Sequence, residues 1–246
     1  VVRKIALDNI GLVEIEAGIR NQRGEETSPA WAIVALPMAE GGQVPLPFLP
    51  PAGYDASGPF KWPTPVDDPK YVTPEVRAFI GQQTEEVEAA DPITSSELRR
   101  MAQAVPDMDP LYWDAEYARR TRFQGITAMP LYPVDAFRQP PHLPDRLTEQ
   151  LEKDPDFQGG PPWDRRLIID VPINTPATSN INGGQEFEIF DLARLGERLS
   201  ARRKIADIFE AESRTFGRVV YRIEDVFYRN AEGREIMRSR IALLYR

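Results

Sequence analysis

Thr94-Ser95-Ser96-Glu97-Leu98-Arg99-Arg100-Met101-Ala102-Gln103-Ala104 leads directly into Val105-Pro106-Asp107-Met108-Asp109-Pro110-Leu111-Tyr112-Trp113-Asp114. Thr94 with Glu97 three residues later is a capping box, and Leu98, Met101, Ala102 and Val105 follow at helical spacing, so a short helix is expected to begin here. Pro106 has no N–H and ends it, which leaves Asp107 in a loop. Asp114 is an N-cap type and predicts a second short helix through Tyr117 and Ala118. A third apolar segment begins at Pro130, a residue suited to a first helical turn, and runs through Leu131, Val134, Ala136 and Phe137.

Outward from this stretch, the 246 residues are 41% hydrophobic and 28% charged, an ordinary balance for a globular chain that buries a core. A formal net charge of −8 without a clustered basic stripe argues against a nucleic-acid partner. There is no cysteine and one histidine, so disulfides, thiol nucleophiles, thiolate metal sites and His-rich metal sites are excluded. No apolar run approaches the roughly 18 residues of a membrane span, and the first residues lack the basic-then-apolar pattern of a signal peptide. A cytoplasmic location is the expectation.

At the N-terminal end, residues Leu12 to Leu36 read as a β-hairpin. Val13, Ile15, Ala17 and Ile19 alternate with Glu14, Glu16 and Arg20, and Asn21-Gln22-Arg23-Gly24 supplies the turn. A second hairpin closes the chain. There Val219, Tyr221, Ile223 and Phe227 alternate with Val220, Arg222 and Glu224, and Asn230-Ala231-Glu232-Gly233 turns into Ile236 to Tyr245. Asn-x-x-Gly between two strands in both places is either an internal duplication or a coincidence of common turn residues.

Between the first hairpin and the opening stretch, Met38 to about Asp68 is rich in proline and glycine and reads as an extended linker. Val76-Arg77-Ala78-Phe79-Ile80-Gly81 and Glu85-Glu86-Val87-Glu88-Ala89 then lead into the opening stretch. A second irregular region follows Phe137, holding Gln139-Pro140-Pro141-His142-Leu143-Pro144 and Phe157 to Trp163, with a helical turn or two over Leu147 to Leu151. A loop this long is either functional, as a cover for a ligand, or a surface insertion. His142 lies between its prolines and reads as a solvated loop residue. Strands are expected at Leu167-Ile168-Ile169, at Asn182 to Ile189 and at Leu199 to Phe209, with Thr215 to Arg218 turning into the last hairpin.

The loop Asp107-Met108-Asp109-Pro110-Leu111-Tyr112, with Ala115-Glu116-Tyr117-Ala118, Phe123-Gln124-Gly125-Ile126 and Ala128-Met129-Pro130, resembles the active-site half of the MaoC-like hot-dog family, within it the FAS1-like dehydratase N-terminal branch. Asn182-Gly183-Gly184 is similar to that family's loop into a central strand. The resemblance covers roughly Val76 to Arg246. It implies an α+β hot-dog fold, a long central helix from Pro130 wrapped by an antiparallel β-sheet, with the N-terminal β-hairpin as an addition. The domain plan it implies is a hairpin over 1–37 resembling the closing strands of a second hot-dog unit, a linker over 38–70, and a hot-dog domain over 71–246 with a Pro-rich insertion at about 139–180.

The resemblance also implies chemistry. Active members resemble enoyl-thioester hydratases, which add water across an α,β-double bond or remove it from a 3-hydroxyacyl thioester. Such a reaction moves protons through groups suited to neutral pH and meets enolate charge with fixed donors. The family motif is Asp-x-Asn-Pro-Leu-His. On it Asp107 takes the acidic position, Asp109 replaces Asn, Pro110 and Leu111 match, and Tyr112 replaces the histidine. A phenol of pKa about 10 is a poor base at neutral pH but a sound donor.

Asp107 and Tyr112 are the catalytic candidates, and Met129, Gly125, Asn182, Gly183 and Gly184 the substrate-binding ones. Other readings stay open for two of them, Asp107 as a turn residue and Met129 as core filling. No metal and no cofactor are implied. The implied partners are an acyl-CoA or acyl-carrier-protein thioester and another hot-dog protein, in a homo- or hetero-oligomer. The function so implied is a subunit of an enoyl-CoA hydratase or 3-hydroxyacyl-thioester dehydratase. The alternative is a non-catalytic partner of a His-bearing subunit; a hot-dog thioesterase is disfavoured by the motif.

Overall fold

A computed structural model of the chain describes residues 1–7, 10–37, 63–140, 142, 146–153, 155, 164–176, 180–213 and 215–246. Most of the expected linker, and Phe157 to Trp163, lie outside them. The chain divides into two compact units, Val1–Pro63 and Thr64–Arg246.

In the first unit the expected hairpin is joined by a third strand. Strands β1 (Arg3–Leu7), β2 (Ile10–Arg20) and β3 (Glu26–Pro37) form an antiparallel sheet in that order. Sequence reading missed β1 because five residues carry too little alternation. Its place is fixed by pairing of Arg3 with Glu14, whose Oε2 accepts from Arg3 Nε at 2.9 Å.

The second unit begins with α1 (Pro74–Arg77), capped by Thr73, and the short strand β4 (Val87–Glu88). Helix α2 (Ser95–Ala104) starts where the capping box predicts. The Glu97 N–H donates to Thr94 Oγ1 at 3.3 Å and the Thr94 N–H donates to Glu97 Oε2 at 3.0 Å. A 3₁₀ turn (Pro110–Tyr112) and α3 (Ala115–Arg120) follow, and Asp114 caps α3 by accepting from the Glu116 and Tyr117 N–H groups.

Next come α4 (Tyr132–Asp135), α5 (Arg146–Lys153) and a second 3₁₀ turn (Arg165–Leu167). Four long strands complete the unit, β5 (Asn180–Ile189), β6 (Ser200–Ser213), β7 (Gly217–Arg229) and β8 (Glu235–Tyr245). The sheet order is β4-β6-β7-β8-β5, with every neighbouring pair antiparallel. Among the described residues no helix is long and apolar enough to cross a membrane.

One apolar cluster joins Leu98, Ala128, Tyr132 and Phe137 to Tyr228, Met237 and Ile241 of the sheet. Full burial of a side chain such as Leu98 stabilises by about 1.5–3 kcal/mol. A second cluster joins Val72 and Val76 to Ile205, Ile208 and Val220.

Two expectations change in detail. The helical segment expected from Pro130 is a single turn, α4. The apolar spacing continues past its end into Ala136 and Phe137, which leave the helix and pack in the sheet's apolar cluster. The strand expected at Leu167 to Ile169 is instead a 3₁₀ turn followed by extended chain outside any ladder. Pro172 and Pro176 remove the donors a ladder needs, while Ile169, Val171 and Ile173 still pack beside the second cluster.

Against this extended chain the sheet buries charge. Arg203 Nη1 donates to Glu224 Oε2 at 2.6 Å, and Arg222 pairs with the other oxygen of Glu224. Arg222 also donates to the Ile169 carbonyl at 2.5 Å and to the Tyr245 hydroxyl at 3.1 Å. All three charged side chains are buried.

Candidate active site

The Asp107–Tyr112 loop is built from its own side chains. The Asp107 N–H donates to the Ala102 carbonyl at 3.0 Å, closing α2. Asp107 Oδ1 then accepts from the Asp109 N–H at 3.2 Å, and Asp109 Oδ1 from the Leu111 N–H at 2.9 Å. These are Asx turns, for which aspartate is suited. Asp107 thus performs the turn role read for it, and among the described residues its Oδ2 accepts no hydrogen bond.

Tyr112 follows on the 3₁₀ turn and is buried. Burial, and then the Asp107 and Asp109 carboxylates, raise its phenol above the ordinary value. The neutral O–H is the form this setting favours.

The loop is tied to the segment ahead of α4. The Thr127 N–H donates to the Leu111 carbonyl at 3.4 Å. Ile126 to Ala128 is zipped in turn to the link between β5 and β6. The Ala128 N–H donates to the Ala193 carbonyl at 2.7 Å, and the Leu195 N–H donates to that of Ile126 at 3.1 Å. Met129 comes next, buried, its carbonyl accepting from the Tyr132 N–H at 3.0 Å. Among the described residues its own N–H meets no acceptor. Asp107, Tyr112 and Met129 therefore belong to adjoining pieces of backbone.

Gly125 sits in the same segment, half-buried, and a Cβ there would meet nothing within 4 Å. Its glycine is not demanded by close approach.

Asn182, Gly183 and Gly184 lie at the start of β5. They form a β-bulge, where Asn182 Oδ1 accepts from the Gly184 N–H at 2.9 Å and Gly184 has φ 134°. A Cβ on Gly183 would come within 1.9 Å of Leu244 Cδ1. The bulge stands against Leu243 and Ala242 of β8, and Leu243 packs in turn on the cluster that holds Ala128 and Tyr132.

His142 is exposed. Sequence reading missed Thr127, which is fully buried with its Oγ1 meeting no partner among the described residues. It also missed the link from Tyr132 to Glu97. Burial first, and then the charge of Glu97 and a hydrogen bond to it, raise the Tyr132 phenol. The capping box signalled Glu97, but no pattern joined it to a residue 35 positions on.

With this geometry in hand, the chain can be compared with known proteins. The family model for the FAS1-like, dehydratase domain region matches residues 78–239. The chain belongs to this family. Its α+β unit, an antiparallel sheet with the helical segment at Tyr132–Asp135, is accordingly a MaoC-like hot dog with an N-terminal hairpin sheet added. Membership places the chain with dehydratases, in the hydro-lyase class. A comparison with curated proteins gave no match.

Solved structures of similar shape include the ChsH1-ChsH2 complex from Mycobacterium tuberculosis, with 15% identity and TM-score 0.49 over 69% of this chain and 86% of that one. The C-terminally truncated HadBC (3R-hydroxyacyl-ACP dehydratase) complex from the same organism has 16% identity and TM-score 0.43, covering 68% and 97%. R-hydratase PhaJ1 from Pseudomonas aeruginosa has 16% identity and TM-score 0.40, covering 67% and 79%.

Proposed function

We propose that the chain is one subunit of an enoyl-CoA hydratase or 3-hydroxyacyl-thioester dehydratase, working with a His-bearing hot-dog partner. The observation that carries this reading is the buried Tyr112 phenol beside two carboxylates on a loop tied to the Met129 segment. In hydration, a water oxygen bonds to C3 of the enoyl thioester as its proton leaves to a base. Charge moves to the thioester oxygen, and C2 then takes a proton. On this chain the Met129 N–H is the donor suited to the thioester oxygen, and Tyr112 donates a hydrogen bond to the water or hydroxyl. Asp107 Oδ2 is the acceptor available for a proton, and the partner's histidine is the stronger base at neutral pH.

A second reading is favoured by the Asx turns, in which both aspartates are already used to build the loop. In that reading the chain only completes and stabilises a partner's site.

The test is hydration of a panel of enoyl-CoA thioesters by the chain alone and by the chain with its partner, followed by loss of the enoyl absorbance. The chain alone is expected to be slow. In the assembly, Asp107→Asn and Tyr112→Phe are each expected to lower kcat by about 10²–10⁴-fold, the range for general acid–base groups. Rapid turnover by the lone chain would remove the need for a partner. Unchanged rates for both variants in a folded assembly would favour the second reading.

A further inference from the structure

The N-terminal hairpin repeats the C-terminal one in detail. Arg20-Asn21-Gln22-Arg23-Gly24-Glu25-Glu26 and Arg229-Asn230-Ala231-Glu232-Gly233-Arg234-Glu235 share Arg, Asn, Gly and Glu at the same positions. In each turn the Asn N–H donates to the carbonyl four residues on, at 2.9 Å and 3.0 Å, and the Gly N–H donates back to the Asn carbonyl, at 3.0 Å and 2.9 Å. The two glycines have φ of 79° and 77°. Arg20 pairs with Glu26 and Arg229 with Glu235, and each ladder shifts register one residue before the arginine. A turn and a bulge together fix which face every side chain takes.

Counting outward from the shared turn, Ile19 corresponds to Tyr228, Ala17 to Val226, Ala32 to Ile241 and Val34 to Leu243. In the C-terminal hairpin these residues face the core, where Phe137 lies with its ring 5.9 Å from that of Tyr228. In the N-terminal sheet the corresponding face is apolar at every alternate residue from Val13 to Ile19 and from Ala30 to Leu36, yet Ile19, Val34 and Leu36 are 66%, 36% and 46% exposed. An apolar face of this kind marks an interaction site.

We infer that this face is a docking surface for the central helix of a second hot-dog chain, laid across it as the helical segment of this chain lies across its own sheet. The chemistry of the occupant follows from the counterparts. Ile19, Ala17, Ala32 and Val34 are each smaller than the residues they match, so the incoming helix carries bulky apolar side chains at helical spacing. Lys4 pairs with Val13 on the same face and is exposed, so an acidic residue of the partner at that rim complements it. The inference concerns assembly and is independent of whether the Asp107–Tyr112 loop is catalytic.

The test places a photo-crosslinking amino acid at Val34 of the full chain in its native host, with the same residue at Glu16 on the opposite face as control. The adduct is digested and the linked peptide sequenced. The expected peptide comes from a different hot-dog chain, within its central helix, and forms from Val34 and not from Glu16. Leu36→Lys in the Val34-labelled chain is expected to lower the adduct yield roughly tenfold or more, because the ammonium would be buried unpaired, while leaving the melting temperature of the isolated chain unchanged. Absence of an adduct, an adduct to this chain itself, or a linked peptide outside a hot-dog helix would each overturn the inference.

Discussion

Replacing Glu224 by glutamine keeps the shape of the side chain and removes its charge. Glu224 is fully buried between Arg203 and Arg222, so the cluster of two guanidiniums and one carboxylate carries one net positive charge, and the variant carries two. Leaving a buried charge uncompensated costs about 3–5 kcal/mol, a large share of the 5–15 kcal/mol that holds a typical domain folded. With a urea m-value of about 2 kcal/mol/M, the midpoint should fall by about 2 M.

The control is the double variant Arg203→Met with Glu224→Gln. It returns the cluster to one net positive charge, on Arg222, which keeps the Ile169 carbonyl and the Tyr245 hydroxyl. It is expected to recover about half of the loss, so that the two changes couple by about 1–3 kcal/mol. The assay is equilibrium urea unfolding followed by circular dichroism. A midpoint shift below about 0.3 M for Glu224→Gln would mean that water reaches the cluster, and the argument from desolvation would fail.

Stability should also fall at alkaline pH. Burial raises the phenols of Tyr112, Tyr132, Tyr221 and Tyr228, so the folded chain holds their protons where the unfolded chain releases them. Their contribution is fully present below an unfolded pKa of about 10 and is lost as pH rises through the folded values; melting temperatures should be level to about pH 9 and decline beyond pH 10, and a level profile to pH 11 would contradict the shifts. At the β5 bulge, Gly183→Ala brings a Cβ to 1.9 Å from Leu244 Cδ1. Cδ1 is the far end of a half-buried side chain that can turn aside, so the cost in thermal unfolding should be at most about 1 kcal/mol, and a larger loss would mean that Leu244 is held in place.

Much of the architecture was legible because it rests on local signals. Thr94 and Glu97 announce α2, Asp114 announces α3, and Asn-x-x-Gly announces both hairpins, each through bonds made within a few residues. The length of α4 was not legible from its apolar spacing, which continues through Ala136 and Phe137 past the end of the helix at Asp135. Arg222 and Glu224 alternate with apolar residues, and nothing local marks them as buried. They are buried because Arg203, some 20 positions away, supplies the second cation and Ile169 a carbonyl.

At the site, the Asp-x-Asp-Pro-Leu-Tyr loop was readable as a unit. Its attachment to Thr127, and the pairing of the Asn182–Gly184 bulge with β8, depend on strand register, which no short motif encodes.

The two rims of the five-stranded sheet differ in what they offer to a neighbouring backbone. At one rim β4 pairs with only Ser200 and Ala201 of β6, and beyond them irregular chain takes up β6 backbone, the Thr84, Gly81 and Val66 N–H groups donating to the Arg203, Ile205 and Glu210 carbonyls. At the other, the first half of β5 is displaced by its bulge, leaving Gln185 to Ile189, about 17 Å, with a regular ladder behind it. A foreign strand therefore finds too few consecutive N–H and C=O groups on the first rim and one short run on the second, beside the exposed acids Glu186 and Glu188. Such borders hold a sheet to its own strands in a crowded cell and keep it from growing into a stack.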